Sequence, residues 1–92
     1  MYARQVTMDL KPHSRAEFTQ KLEADVIPLL RKQKGFQDAI ALVDPAGKKV
    51  RAVSLWDSKE SAEAYNSGPY AEVTKALSKL VDGTPRVKTY EV

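Results

Sequence analysis

The stretch FQDAIALVDPAGKKVRAVSLW, residues 36–56, reads as two strands and the turn that joins them. Phe36 to Val43 and Val50 to Trp56 are short runs rich in apolar and β-branched residues. Asp44-Pro45-Ala46-Gly47 lies between them, with Pro at the second turn position and Gly available for positive φ, so the two strands are antiparallel neighbours. On the first strand Phe36, Ile40 and Leu42 share one side, and Ala39, Ala41 and Val43 share the other. Both sides are apolar, and a strand with one face in water should not look like this. Burial of both faces is the expectation.

Upstream, residues 2 to 10 alternate, with Val6, Met8 and Leu10 on one face and Ala3, Gln5, Thr7 and Asp9 on the other. Lys11-Pro12-His13 ends that strand, and Ser14 with Glu17 has the spacing of a capping box. Phe18, Leu22, Val26, Leu29 and Leu30 then recur at helical spacing. Pro28 has no N–H for the carbonyl of Ala24, so the helix should kink or loosen there and continue to a stop at Gly35.

Downstream, Asp57-Ser58-Lys59-Glu60 opens a short helix, again with capping-box spacing between Asp57 and Glu60. Asn66-Ser67-Gly68-Pro69 breaks it, and a second segment starts near Pro69. Tyr70, Val73, Leu77 and Leu80 form the apolar stripe of that segment, Asp82-Gly83 closes it, and Pro85 to Val92 is the last strand. The order is βαββαβ, a ferredoxin-like α+β fold in one domain spanning residues 1–92.

Two helices can cover only one face of a four-stranded antiparallel sheet. The uncovered face is expected to carry some combination of Ala39, Ala41, Val43, Val50, Ala52 and Trp56. Small and branched side chains suit sheet-to-sheet contact, so a homodimer through the open sheet face follows as an expectation. With ~400 Å² or more of apolar surface per sheet, pairing would contribute several kcal/mol before association costs.

Composition excludes several classes. Hydrophobic residues are 42% and charged residues 29%, which suits a globular protein. Cysteine is absent, which rules out disulfides, thiolate metal sites and a cysteine nucleophile. No apolar run approaches the ~20 residues of a membrane helix, and Met1 leads directly into strand pattern, so a cytoplasmic protein with no membrane partner is expected. Fifteen basic and twelve acidic side chains give a net charge of +3, but the basic residues are scattered. No nucleic-acid stripe results. With one histidine, no paired-histidine metal motif exists, and there is no phosphate loop or nucleophile elbow.

Four stretches together resemble the antibiotic biosynthesis monooxygenase (ABM) domain. They are Pro28 to Phe36, Asp44 to Gly47, Ser54-Leu55-Trp56-Asp57-Ser58-Lys59-Glu60-Ser61-Ala62-Glu63-Ala64-Tyr65, and the ending Pro85 to Val92. The similarity covers essentially the whole chain. It implies a dimeric α+β barrel with a pocket in each subunit between helices and sheet. Members include cofactor-independent oxygenases of aromatic polyketides, haem-degrading enzymes, quinol oxygenases and proteins with no assigned reaction. The haem-degrading branch is similar through Trp56 but places a ligating histidine in the second helix, where this chain has Thr74. The implied activity is oxygenation of a small aromatic or quinone-like ligand with no cofactor and no metal. Its rivals are a non-catalytic dimer that binds a small hydrophobic metabolite and a stress-related interaction module.

Such an oxygenase needs an apolar pocket, a base, and polar groups that hold the substrate anion while it reacts with oxygen. Trp56 matches the family's tryptophan and either walls the pocket, donating one hydrogen bond, or is a core aromatic. His13 has an unperturbed pKa near neutrality, which makes it a candidate base; otherwise it packs beside Phe18 in a staple-like contact. Asp38 is a second candidate base if its side faces the helices, and an idle surface group if it does not. Tyr65 and Tyr70 flank the helix break and are candidates to shape the pocket mouth and orient a phenol, Tyr70 also fitting the core stripe. Arg4 and Arg86 are available to an anionic substrate, although arginines on exposed strands usually have no specific role. Phe18, Leu77 and Tyr70 either border the pocket or fill it. A cavity of ~300 Å³ or more with convergent polar groups would mark a ligand site.

Overall fold

The computed structural model describes all of residues 1–92, and the hairpin is where the sequence puts it. Strands β1 (Tyr2–Leu10), β2 (Phe36–Val43), β3 (Lys49–Trp56) and β4 (Val81–Glu91) form one antiparallel sheet in the order β2-β3-β1-β4. At the β2–β3 turn, Gly47 has φ +70° and its N–H donates to the Asp44 carbonyl at 2.8 Å. The Asp44 carboxylate accepts from the Lys48 N–H at 2.7 Å, which holds it below its ordinary pKa. The fold is the ferredoxin-like βαββαβ arrangement, with its helices on one face.

The first helical stretch has three parts: α1 (Arg15–Lys21), a π turn (Leu22–Val26) and α2 (Ile27–Arg31). The loosening expected at Pro28 takes the form of this π turn, in which the Ile27 N–H reaches back to the Leu22 carbonyl. Widening the coil by one residue eases the conflict between the proline ring and the carbonyl four residues earlier. After β3 come α3 (Lys59–Ser67) and α4 (Pro69–Leu77), separated at Gly68. No helix is long and apolar enough to cross a membrane.

Local signals are shifted in three places. Ser14 sits at φ −99°, ψ −5°, and its side chain makes no capping bond, so no capping box forms there. At α3 the cap is Ser58, one residue after Asp57, with an extended backbone and an Oγ that accepts from the Ser61 N–H at 3.2 Å. Strand β4 begins at Val81, and Gly83-Thr84-Pro85 bulges out between the pairs Asp9–Asp82 and Thr7–Arg86. A bulge is one of the few places in a sheet where proline is tolerated.

The larger difference is on β2. Phe36 pairs with Trp56 and Asp38 with Leu55, so Gln37 is an extra residue that turns the chain over. Phe36 therefore shares the helix-covered face with Ala39, Ala41 and Val43. Ile40 and Leu42 point the other way and are 58% and 53% exposed. The residues expected on the uncovered face are thus on the covered one. Val50 and Trp56 are fully buried, and Ala39 and Val43 pack against the core. The open face instead carries Ile40, Leu42, Val53, Leu55 and Tyr90.

The core lies between sheet and helices, with Val6, Met8 and Leu10 of β1 against Phe18, Val26, Leu30, Val73 and Leu77. Gly35 links the two halves: it has φ +83°, and its carbonyl accepts from the Asp57 N–H at 2.8 Å. A β-carbon there would collide with the Asp57 carboxylate and the Ser61 side chain. Gly35→Ala is expected to destabilise the fold by about 2 kcal/mol or more, through backbone strain and this overlap. Urea unfolding should show it as a lower midpoint with unchanged slope.

Candidate active site

Four consecutive rows of the sheet's covered face set the site out. Tyr2, Trp56 and Phe36 form the first; Arg4, Ser54 and Ala39 the second; Val6, Ala52 and Ala41 the third; Met8, Val50 and Val43 the fourth. Because the middle rows end in alanine and serine, the helices do not meet the sheet there. A cavity of about 430 Å³ is left. Ala39, Ala41 and Ala52 line its floor, with Val26 and Leu30 on one wall and Val73 and Leu77 on the other. Lys75, Ser78 and Thr84 line it too and are exposed, which places its mouth between α4 and the β4 bulge.

One end is polar. The break at Gly68-Pro69 changes the helix direction so that Tyr65 and Tyr70, five residues apart in sequence, converge with ring centroids 5.9 Å apart. The Arg4 guanidinium carbon lies 4.0 Å from the Tyr70 centroid and 5.2 Å from that of Tyr65, within cation–π range of both. Arg4 Nη2 donates to Asn66 Oδ1 at 2.8 Å. Arg4 is only 3% exposed and belongs to no ion pair; the one acidic residue of β1 itself, Asp9, is engaged by Lys49 and Arg86. Its Nε–H is buried with no acceptor.

Tyr65 completes this end. Burial pushes its hydroxyl from an ordinary 10.0 up to about 12, with Arg4 pulling it down and Tyr70 adding to the rise. Near neutral pH it is therefore a phenol that donates hydrogen bonds, and it is too weak an acid to serve as an anionic base. Trp56 stacks behind it with centroids 5.1 Å apart, and Phe36 meets Trp56 edge-on at 5.6 Å. The Trp56 Nε1–H donates to Ser54 Oγ at 2.9 Å.

Of the residues singled out in the sequence, Tyr65, Tyr70 and Leu77 line the cavity. Trp56 does not line it: it is fully buried, its one donor is satisfied by Ser54, and it meets the site through two lining residues, Ser54 and Tyr65. Phe18 is also fully buried, in the core and not in the lining, so it does not fill the space. His13 is exposed at φ +61° in the β1–α1 turn, away from the cavity. The β2 bulge sends Asp38 to the open face, where it is exposed and accepts from the Ala39 N–H at 2.8 Å. Neither candidate base is brought to the cavity.

Arg4, available with Arg86 to an anionic substrate on the sequence reading, departs from the usual exposure of a strand arginine: the structure buries it and places it in the lining. The signal was present in the alternation, since Arg4 is in phase with Val6, Met8 and Leu10. Asn66, its hydrogen-bond partner, carried no signal beyond its place at the helix break.

The model of the family described as antibiotic biosynthesis monooxygenase matches residues 1–77. Comparison with curated protein sequences gives no match. Among solved structures, the chain is similar to a monooxygenase from Streptomyces coelicolor in complex with nanaomycin D. The TM-score is 0.82 at 22% identity, with 97% of this chain and 84% of that one covered. It is also similar to a protein of unknown function from Nitrosomonas europaea, with TM-score 0.81, 20% identity and coverage of 99% and 87%. A third is SnoaB, a cofactor-independent oxygenase from Streptomyces nogalater, with TM-score 0.79, 12% identity and coverage of 99% and 91%.

The raised Tyr65 value has a consequence for stability. The folded state holds this proton more tightly than the unfolded chain, so the contribution is complete below pH 10 and is lost as pH rises toward 12. The stability difference between wild type and Tyr65→Phe should therefore be flat below pH 10. Above it, the difference should move against the wild type, as measured by denaturant unfolding across the alkaline range.

Proposed function

The chain belongs to the antibiotic biosynthesis monooxygenase family, and from that premise we propose that it is a homodimeric, cofactor-independent monooxygenase of a small aromatic or quinone-like substrate. The observation that carries the reading is the 430 Å³ apolar cavity with Arg4, Tyr65 and Tyr70 gathered at one end. Its volume suits a ligand of two or three fused rings, and its few polar groups are placed to orient one. The similar S. coelicolor monooxygenase with nanaomycin D and the cofactor-independent oxygenase SnoaB support the same class.

The chemistry follows from the lining. An anthrone-like substrate loses a proton from its activated CH₂ group, and the negative charge spreads onto the ring oxygen. Arg4 stabilises that anion by its charge, and the Tyr65 hydroxyl donates to its oxygen. The anion passes electrons to O₂, carbon and oxygen join as a hydroperoxide, and loss of water leaves a carbonyl. In sum, R₂CH₂ and O₂ give R₂C=O and H₂O. The first proton leaves to water at the mouth, because no carboxylate or imidazole lines the cavity. The site favours the anion by holding it. Tyr70 and Leu77 pack the ring, and Trp56, which backs Tyr65, is a positioning residue. His13 and Asp38 have no part in this reading.

Dimer formation uses the open face, where Ile40 and Leu42 stand more than half exposed beside Val53 and Leu55. Contiguous apolar surface of this kind is rare on a lone subunit. Ile40→Glu should convert the dimer to a folded monomer, seen as a halved mass in sedimentation with unchanged far-ultraviolet dichroism.

Oxygen uptake with a panel of anthrones and hydroxyquinones tests the reaction. One O₂ should disappear per anthrone oxidised. Ala52→Leu, which fills the cavity floor, should lower turnover by about 100-fold, and Trp56→Phe should lower it with the dimer intact. No uptake above the uncatalysed rate would leave non-catalytic binding of a small molecule as the function, and full turnover in Ala52→Leu would take the reaction out of this cavity.

A further inference from the structure

We propose that Arg4 is an anion-binding residue and that the cavity selects aromatic ligands bearing a carboxylate or ionised phenol over neutral ligands of the same shape. The inference rests on the cavity being a ligand site, and it is independent of turnover.

A guanidinium cannot shed its proton to escape burial, as a lysine or a carboxylic acid can. A buried arginine is ordinarily paired with a carboxylate, because an uncompensated charge in a low-dielectric interior is costly. Arg4 has no such partner. Its side-chain bond goes to Asn66, a neutral amide, its Nε–H has no acceptor, and Nη1 bonds no protein group. The Tyr65 and Tyr70 ring faces compensate part of the charge. The Tyr65 hydroxyl stays protonated beside it and supplies no negative charge. The polar end of the cavity therefore keeps the positive charge of Arg4 without a balancing carboxylate.

The surroundings define what would complete it. The charge stands over an alanine floor and between apolar helix walls, so a hydrated inorganic anion would leave most of the cavity without apolar contact. A flat ring system carrying one anionic group satisfies both parts: rings against Ala41, Ala52 and Leu77, and the anionic oxygen at Arg4 and the Tyr65 hydroxyl. Guanidinium–oxyanion bonds are shorter and stronger than bonds to a neutral oxygen, so the preference should be large. Lys75 is the other cation of the lining, but it sits exposed at the mouth, where water and salt screen it.

The test compares 2-naphthoate with 2-naphthamide, which match in shape and differ in charge, by calorimetric titration of the full-length protein at pH 7.5. Naphthoate should bind about 10-fold or more tightly. Arg4→Met, which keeps much of the side-chain volume, should bring naphthoate to within about 3-fold of naphthamide, and Arg4→Lys should fall between. Equal affinities in the wild type would overturn the anion preference and leave the cavity as a site for neutral ligands. A preference that persists in Arg4→Met would assign it to Lys75 and equally overturn the proposal. Failure of both compounds to bind would remove the ligand site itself. Preference for naphthoate without any oxygen uptake would sustain this inference and sink the oxygenase reading alone. Should Arg4→Met fail to fold, the wild-type comparison and Arg4→Lys decide.

Discussion

A single extra residue in β2 determines which side of the sheet does what. Phe36 and Trp56 stand opposite one another, Asp38 and Leu55 come next, and Gln37 is left over. Beyond that point every side chain of β2 is reversed relative to a regular strand. Three alanines of β2 and β3 therefore lie beneath the helices, and Ile40 and Leu42 face outward. Without the bulge, Ile40 and Leu42 would occupy the space above the sheet, and the cavity would be a packed core. The same displacement supplies both the hollow and the apolar outer face, so the two have one structural cause.

The polar end of the hollow has the opposite character from the rest of the core. Phe36, Trp56, Tyr65 and Tyr70 form a continuous run of rings from the edge strand to the helix break, and Arg4 lies against its last two members. Each ring limits the freedom of the next, and Ser54 fixes Trp56 by accepting its only donor. The Tyr65 hydroxyl and the Arg4 guanidinium are thereby held in place before any ligand arrives. Groups oriented in advance stabilise a developing charge without the cost of reorganising at the moment of reaction. An arginine of this kind, buried without a carboxylate partner, is a weak element for stability.

Much of this was legible in the sequence, and the reasons for the rest are specific. Element order, the hairpin turn, the break at Gly68-Pro69 and the disturbance at Pro28 all followed from local chemistry: ring closure in proline, positive φ at glycine and apolar spacing. The β2 bulge did not, because no residue at Gln37 or Asp38 announces it; it arises from how Phe36 meets Trp56 across the hairpin. That one displacement moved Asp38 away from the site and exchanged the two faces of the strand. Arg4 is the contrary case. Its phase with Val6 and Met8 placed it inward, but the general habit of arginine argued for exposure. Whether a charge is tolerated inside depends on the rings and amide around it, which come from residues 61 to 66 positions away.

The interruptions in the outer strands have an effect of their own. β2 and β4 are the margins of the sheet, where unpaired amides and carbonyls would template a further strand from another molecule. One margin is dislocated near Phe36, and the other is broken at Gly83-Thr84-Pro85, where proline also removes a donor. Neither offers a long straight row of hydrogen-bonding groups. Edge-to-edge growth into extended ribbons is thereby disfavoured at both margins.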